Sequence, residues 1–251
     1  MSWEEKMSEN PPRVRVAAVG DLHVHQNPSE GEGLQSLFER ISQKADILAL
    51  CGDLTHLGLR EEAELLLNEL RACRVPVVAV LGNHDHQSGQ ADDVKKVLRA
   101  GKVVVLEETE TFQLNGVGFA GTKGFGGGFD KHMLAPFGED SIKQFVTAAV
   151  NESLRLEVAL NSLRTEKTVV VLHYSPISAT LIGEPPEIFP FLGSSRLAET
   201  IDHFDVNAVF HGHAHHGTVE GKTMKGTPVY NCCLHLMQNV TPEQPYALVE
   251  I

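Results

Sequence analysis

Five apolar runs in this chain each end in a short polar cluster, and that recurrence limits its possible folds more than any other feature. Residues 14–19 lead into Gly20-Asp21-Leu22-His23, 47–50 into Gly52-Asp53-Leu54-Thr55, and 76–81 into Gly82-Asn83-His84-Asp85. Further on, 168–172 lead into His173-Tyr174-Ser175-Pro176 and 206–210 into Gly212-His213-Ala214-His215. Short continuous apolar runs bounded by turn-forming residues read as strands buried on both faces. Helical patterns lie between them, at 34–42, 60–71 and 92–99. This alternation predicts an α/β fold with right-handed crossovers and parallel pairing. In such sheets, groups that bind ligands collect at the C-terminal ends of the strands.

The middle of the chain reads differently. Short β-rich pieces at 103–105, 111–114 and 117–120 surround Asn115-Gly116, a hairpin-turn dipeptide. The glycine-rich stretch 121–129 predicts a mobile loop, and it matches neither phosphate-binding nor dinucleotide-binding glycine patterns. A long helix follows, with Ile142, Phe145, Val146, Ala149, Val150, Leu154 and Leu160 expected on one face. The segment 181–192 carries three prolines and reads as a loop packed on its own domain, with a lid or contact surface as the alternative. A helix is expected at 196–203 and β-rich structure from there to the end, apart from the run already noted. The polar, acidic residues 1–12 are expected to be a flexible N-terminal segment and 13–251 one domain.

Charge and composition then exclude several functions. Lys and Arg number 21 against 33 Asp and Glu, a formal net charge of −12. Nucleic acids and anionic membranes are bound largely through Lys and Arg, so both are disfavoured partners. Residues 1–12 lack the basic flank and apolar run of a signal peptide, and no stretch approaches roughly 18 uninterrupted apolar residues. A cytoplasmic protein is the expectation. Cys51, Cys73, Cys232 and Cys233 fit no zinc or disulfide pattern and read as core thiols.

The clustered groups have a shared chemistry. Asp21 with His23, and His213 with His215, are i,i+2 pairs that an extended or turning backbone can aim at one point. Asp53 offers two oxygens and can bridge two cations, and Asn83 adds a neutral amide oxygen. An oxygen–imidazole set without thiolate suits Mn, Fe or Zn.

Taken in order, the blocks D-x-H, GD, GNHD, H and GHxH resemble the calcineurin-like metallophosphoesterase superfamily. The resemblance runs from Asp21 to His215. It implies a two-sheet mixed β-sandwich flanked by helices (αββα), with a dinuclear metal site at the strand C-terminal ends. Asp21, His23 and His215 would hold one ion, Asn83, His173 and His213 the other, and Asp53 would bridge them. His84 would lie beside the substrate phosphate, with Asp85 orienting its ring. The ions would be divalent or mixed-valence, Mn or Fe favoured and Zn acceptable, and a bridging hydroxide would attack in line. Two such cations, less two aspartates and a hydroxide, leave about +1, enough to attract a phosphate anion.

The blocks are most similar to the cyclic-nucleotide phosphodiesterase branch, which implies a small nucleotide-like diester as substrate. A phosphomonoesterase or protein phosphatase is the enzymatic alternative, and a binding module that has lost catalysis is the rival from another class. His25, His56 and His86 flank the blocks and read as loop neighbours. His211 and His216 are expected beside the ligands rather than among them, and Lys123 is expected as a solvated loop lysine.

Overall fold

The structure is a computed structural model that describes residues 13–26, 33–107 and 109–251. The expected flexible segment 1–12 lies outside the described residues. The first sheet contains β1 (Arg15–Val19), β2 (Ile47–Cys51), β3 (Val77–Val80) and β4 (Val104–Val105), all parallel, with β11 (Ala247–Glu250) at its edge, in the order β11-β1-β2-β3-β4. The second contains β5 (Phe112–Leu114), β6 (Val117–Thr122), β7 (Lys167–Leu172), β8 (Ala208–His211), β9 (Glu220–Lys222) and β10 (Pro228–Asn231). Its order is β5-β6-β7-β8-β10-β9. The last strand of the chain, β11 (Ala247–Glu250), returns to pair antiparallel with β1, Arg15 opposite Glu250.

Alternation along the strands builds the layers. Val16, Ala18, Ile47, Ala49, Val78 and Val80 point inward and meet Val117, Phe119, Val169, Val171, Ala208 and Phe210 of the other sheet. Their neighbours Ala17, Val19, Leu48, Leu50 and Ala79 point outward, under Phe38 and Ile41 of α1 (Gln35–Lys44), Leu66 of α2 (Arg60–Leu70) and Leu98 of α3 (Ala91–Ala100). On the far side, Ala120, Val170, Leu172 and Val209 are covered by Leu156 and Leu160 of α4 (Asp140–Ser162). Two smaller helices follow in the chain, α5 (Phe189–Leu192) and α6 (Ser195–Ile201), and α6 adds Leu197 and Ile201 to that cover. The architecture is therefore the expected αββα sandwich of two mixed sheets. Burial on both faces explains why the central strands read as unbroken apolar runs.

Four expectations need correction. On α4 the buried face is Val146, Ala149, Glu152, Leu156, Ala159 and Leu160, whereas Ile142 (42%) and Leu154 (51%) are exposed. Residues 140–144 at the start of the helix are exposed, and Glu152 takes a buried position because Thr122 Oγ1 and the Gly124 N–H donate to it. The 121–129 stretch is largely buried rather than mobile: 121 and 122 finish β6, and the later glycines allow tight backbone contact. A Cβ on Gly126 would stand 2.6 Å from the Pro190 carbonyl oxygen. The expected β-rich C-terminus contains a helix, α7 (Leu234–Val240), which buries Leu234, Leu236 and Met237. Segment 181–192 divides: Leu181 and Leu192 are buried with Phe129 and Ala214, while Ile182 and Phe191 are exposed. The Asn115-Gly116 turn is as expected, with both residues at positive φ (47° and 83°), joining β5 to β6.

Candidate metal centre

The C-terminal ends of β1, β2, β3, β7 and β8 open on one edge of the sandwich, and all nine expected site residues lie on the loops that leave them. Asp21 (φ 57°), His23 (φ 45°), Asp53 (φ 48°) and His213 (φ 70°) occupy the left-handed region. For residues with a Cβ this conformation costs roughly 1–3 kcal/mol each and persists where the surroundings over-determine it. Close approach of the loops also demands glycine. A Cβ on Gly82 would collide with Asp53 Oδ1, and one on Gly212 with Asp21 Oδ2.

The side chains converge in two overlapping groups. Asp21, His23 and Asp53 offer donor atoms within 4.8 Å of one another, and so do Asp53, His173 and His213. Asp53 belongs to both. His215 Nε2 lies 3.1 Å from Asp21 Oδ1, and the His213 N–H donates to the same carboxylate at 3.0 Å. Asn83 Oδ1 lies 2.9 Å from His173 Nε2, which is 3.4 Å from Asp53 Oδ1.

Protonation shows what this donor set is suited to hold. His173 Nδ1 faces the Cys51 carbonyl at 2.9 Å, and a carbonyl only accepts, so that nitrogen carries the proton. Burial, reinforced by His213, pushes the His173 pKa well down and keeps the ring neutral. Its Nε2 lone pair therefore faces two acceptor oxygens, those of Asn83 and Asp53. Burial lowers His23 to about 4, and neither of its ring nitrogens has a hydrogen-bond partner among the described residues. The unprotonated His173 Nε2 and the unpartnered ring nitrogens of His23 converge with Asp21 and Asp53, a donor set that fits a cation able to displace the Asp53 proton.

The carboxylates are arranged to the same effect. Burial first, then the charges of Asp21 and Asp85, push Asp53 up to about 9. Burial opposes ionisation of Asp21 too, but the hydrogen bond with His215 and the nearby His173 hold its pKa below the ordinary carboxylate value. Positive charge placed between the two would relieve their repulsion. The hydrogen bond with Asp21 in turn raises His215.

His84 sits on a single 3₁₀ turn after β3, its ring 4.5 Å from that of His23. The structure gives the orientation of this ring to the His56 carbonyl, which faces His84 Nδ1 at 2.7 Å, and not to Asp85. Asp85 is buried and accepts from Gly82 N (2.8 Å), Thr55 N (2.8 Å), Thr55 Oγ1 (2.6 Å) and Leu54 N (3.2 Å). It thus ties the β2 and β3 loops together and fixes the turn that carries His84.

Sequence reasoning passed over two neighbours and misplaced a third. Tyr174 packs its ring 4.4 Å from that of His213, and Cys233 offers its sulfur to the Asp21–His215 pair. Lys123 is not a solvated loop lysine: its ammonium donates to the Gly124 carbonyl and lies over the rings of Phe125 and Tyr174. Burial lowers its pKa. His211 is buried between the Gly212 carbonyl and Thr180 Oγ1, and the His216 N–H donates to Glu184; neither belongs to the two converging groups.

Two facing sheets, helices outside and Asp, His and Asn side chains gathered at one strand-end edge form an arrangement suited to metal-dependent phosphoester chemistry. The sequence profile of the calcineurin-like phosphoesterases matches residues 14–217, and the chain belongs to that family. Comparison with curated protein sequences finds no match. Among solved structures, the chain is similar to the phosphopantetheinyl hydrolase PptH of Mycobacterium tuberculosis, with 16% identity, a TM-score of 0.67 and coverage of 93% of this chain and 95% of that one. It is also similar to the purple acid phosphatase PPD1 of yellow lupin, with 14% identity, a TM-score of 0.52 and coverage of 90% and 44%. GAP50, the anchor in the inner membrane complex of Plasmodium, gives 13% identity, a TM-score of 0.56 and coverage of 89% and 72%. No helix among the described residues is long and apolar enough to cross a membrane.

Proposed function

We propose that the chain hydrolyses a low-molecular-weight phosphodiester, nucleotide-like substrates included. In this reading Asp21, His23 and His215 hold one metal ion, Asn83, His173 and His213 hold a second, and Asp53 binds both. The observation that carries it is the membership of Asp53 in both ligand groups. Mn or Fe suits the oxygen–imidazole set best and Zn is accommodated. When bound, the ions supply charge neutralisation at the phosphoryl group and acidify water.

The chain's own contribution is orientation and proton transfer. With Nδ1 directed at the His56 carbonyl, His84 turns Nε2 toward the substrate. In the protonated ring, that Nε2–H donates first to a phosphoryl oxygen and then gives its proton to the departing alkoxide. Such a general acid contributes roughly 10²–10⁴ in rate. Asp85 acts through the turn it anchors. The monoanionic diester is favoured over the dianionic monoester because the nearby cations are already engaged. Lys95 pairs with Asp92 and Glu107, Arg155 with Glu152, and Lys123 donates to a carbonyl.

Fold alone does not separate a hydrolase from a binding module, since GAP50 shares it and is an anchor. The test is turnover of bis(p-nitrophenyl) phosphate and p-nitrophenyl phosphate by metal-stripped protein with Mn²⁺ restored. Diester turnover that falls 10²–10⁴-fold in His84→Ala, with metal content unchanged, is the expected result. Preference for the monoester overturns the diester assignment, and no turnover of either ester by the metal-loaded protein overturns the hydrolase.

A further inference from the structure

An apolar cleft of about 440 Å³ lies beside the candidate metal centre, and Asn83 and His213 are part of its lining. Its size is within the usual range for small-molecule sites. Phe125, Phe145, Tyr174 and Phe191 supply the walls, with Ile188 and Leu192 beside them. The rings are set at angles to one another: Phe125 and Phe145 have centroids 5.0 Å apart, Phe145 and Phe191 6.0 Å apart and near perpendicular. Gly126 lets the loop that carries Phe125 close on 190–191, since a Cβ there would meet Phe145 Cζ at 3.1 Å and Phe191 Cα at 3.2 Å.

This cleft is built for an occupant. Phe191 is 60% exposed and Ile188 38%, on a short prolyl segment anchored beneath by buried Leu192. Among the described residues, none that lines the cleft is an acid, a lysine or an arginine. A group bound here therefore carries no charge, and its position next to Asn83 and His213 makes it part of the molecule whose phosphate reaches the metal centre. The charged cavity nearby offers no comparable site. It holds only about 170 Å³; of its three cations, Lys95 and Arg155 are paired with Glu107 and Glu152, and Lys123 donates to the Gly124 carbonyl.

We propose that this cleft binds an uncharged aromatic ring on one ester arm of the substrate, stacked among Phe125, Phe145 and Phe191. Rings that meet at offset or edge-to-face angles favour another ring over a saturated chain of equal size. A nucleobase and a simple aryl group share that chemistry. The proposal rests on the phosphodiesterase reading, because the shared position of ring and phosphate is what identifies the occupant.

The test is calorimetric binding to the Mn²⁺-loaded protein, using the monomethyl esters of methyl-, cyclohexyl- and phenylphosphonic acid and of thymidine 5′-phosphonate. The phenyl ester is expected to bind roughly 10- to 30-fold more tightly than the methyl ester, from burial of one ring. It should also exceed the cyclohexyl ester several-fold. In Phe191→Ser, whose exposed site makes folding insensitive to the change, the phenyl-to-methyl ratio should collapse to about threefold or less. Tighter binding of the thymidine ester than the phenyl ester assigns the ring to a nucleobase, and the reverse assigns it to an aryl group. Equal affinity for methyl and phenyl esters, or a ratio unmoved in Phe191→Ser, overturns the cleft. Equality of cyclohexyl and phenyl overturns its aromatic character. Because the readout is binding, failure of hydrolysis alone would sink the diesterase reading and leave the aromatic site standing.

Discussion

Asp53→Asn should make the metal-free protein more stable while abolishing metal-dependent turnover. Asp53 is 1% exposed, and burial with the charges of Asp21 and Asp85 raises its pKa from 3.8 to about 9. Between those two values the folded state binds more protons than the unfolded one, so stability falls as pH rises through that window. At about 1.4 kcal/mol per pH unit, the roughly three units from 3.8 to neutrality amount to a penalty of about 4 kcal/mol at pH 7. Asparagine has no such penalty. It can still accept the His84 N–H, which reaches Asp53 Oδ1 at 2.8 Å, and can turn its amide toward His23 Nε2, 3.9 Å from Asp53 Oδ2. In a chain of this size about 4 kcal/mol corresponds to roughly 10 °C in Tm. Thermal unfolding in chelator should therefore show the variant well above wild type at pH 7 and level with it near pH 4. Added Mn²⁺ should raise wild type and leave the variant unmoved. A metal-free variant less stable than wild type at pH 7 would refute the electrostatic reasoning.

Two further predictions concern the same edge. His211 is buried and lowered by desolvation from 6.5 to about 4, so the unfolded state binds more protons than the folded one between those values. Stability should be complete above pH 6.5 and fall by roughly 3 kcal/mol toward pH 4, a loss that His211→Gln should remove in denaturant titrations across that range. Gly82→Ala should weaken Mn²⁺ binding and destabilise the protein by about 1–3 kcal/mol, because the added Cβ displaces Asp53; unchanged calorimetric affinity would contradict that.

Much of this edge was legible in the sequence because strand ends and turn residues are local signals. Four of the five buried runs finish in a Gly–Asp, Gly–Asn or Gly–His step, and the structure puts Asp21, Asp53 and His213 at positive φ at those steps. The αββα layering was reached through resemblance, since alternation within fully buried strands leaves no polar face to read. What stayed hidden depends on distant parts of the chain. Pairing of β11 with β1 joins residues more than 200 positions apart, and local propensity is silent on it. The glycines at 121–129 signal a loop equally whether the backbone is free or, as here, packed against 190–194. The family resemblance implied that Asp85 orients His84. The 3₁₀ turn instead sends the carboxylate back to Thr55 and leaves the ring to a carbonyl from another loop.

The central claim, that seven side chains hold two metal ions with Asp53 common to both, is tested most directly by metal stoichiometry. Metal-stripped protein titrated with Mn²⁺ and analysed for bound metal after gel filtration should retain two equivalents, and Asp53→Ala should lose both sites at the same concentration. Asn83→Ala should retain one. Two equivalents retained by Asp53→Ala, or fewer than two by wild type at saturation, would contradict the account.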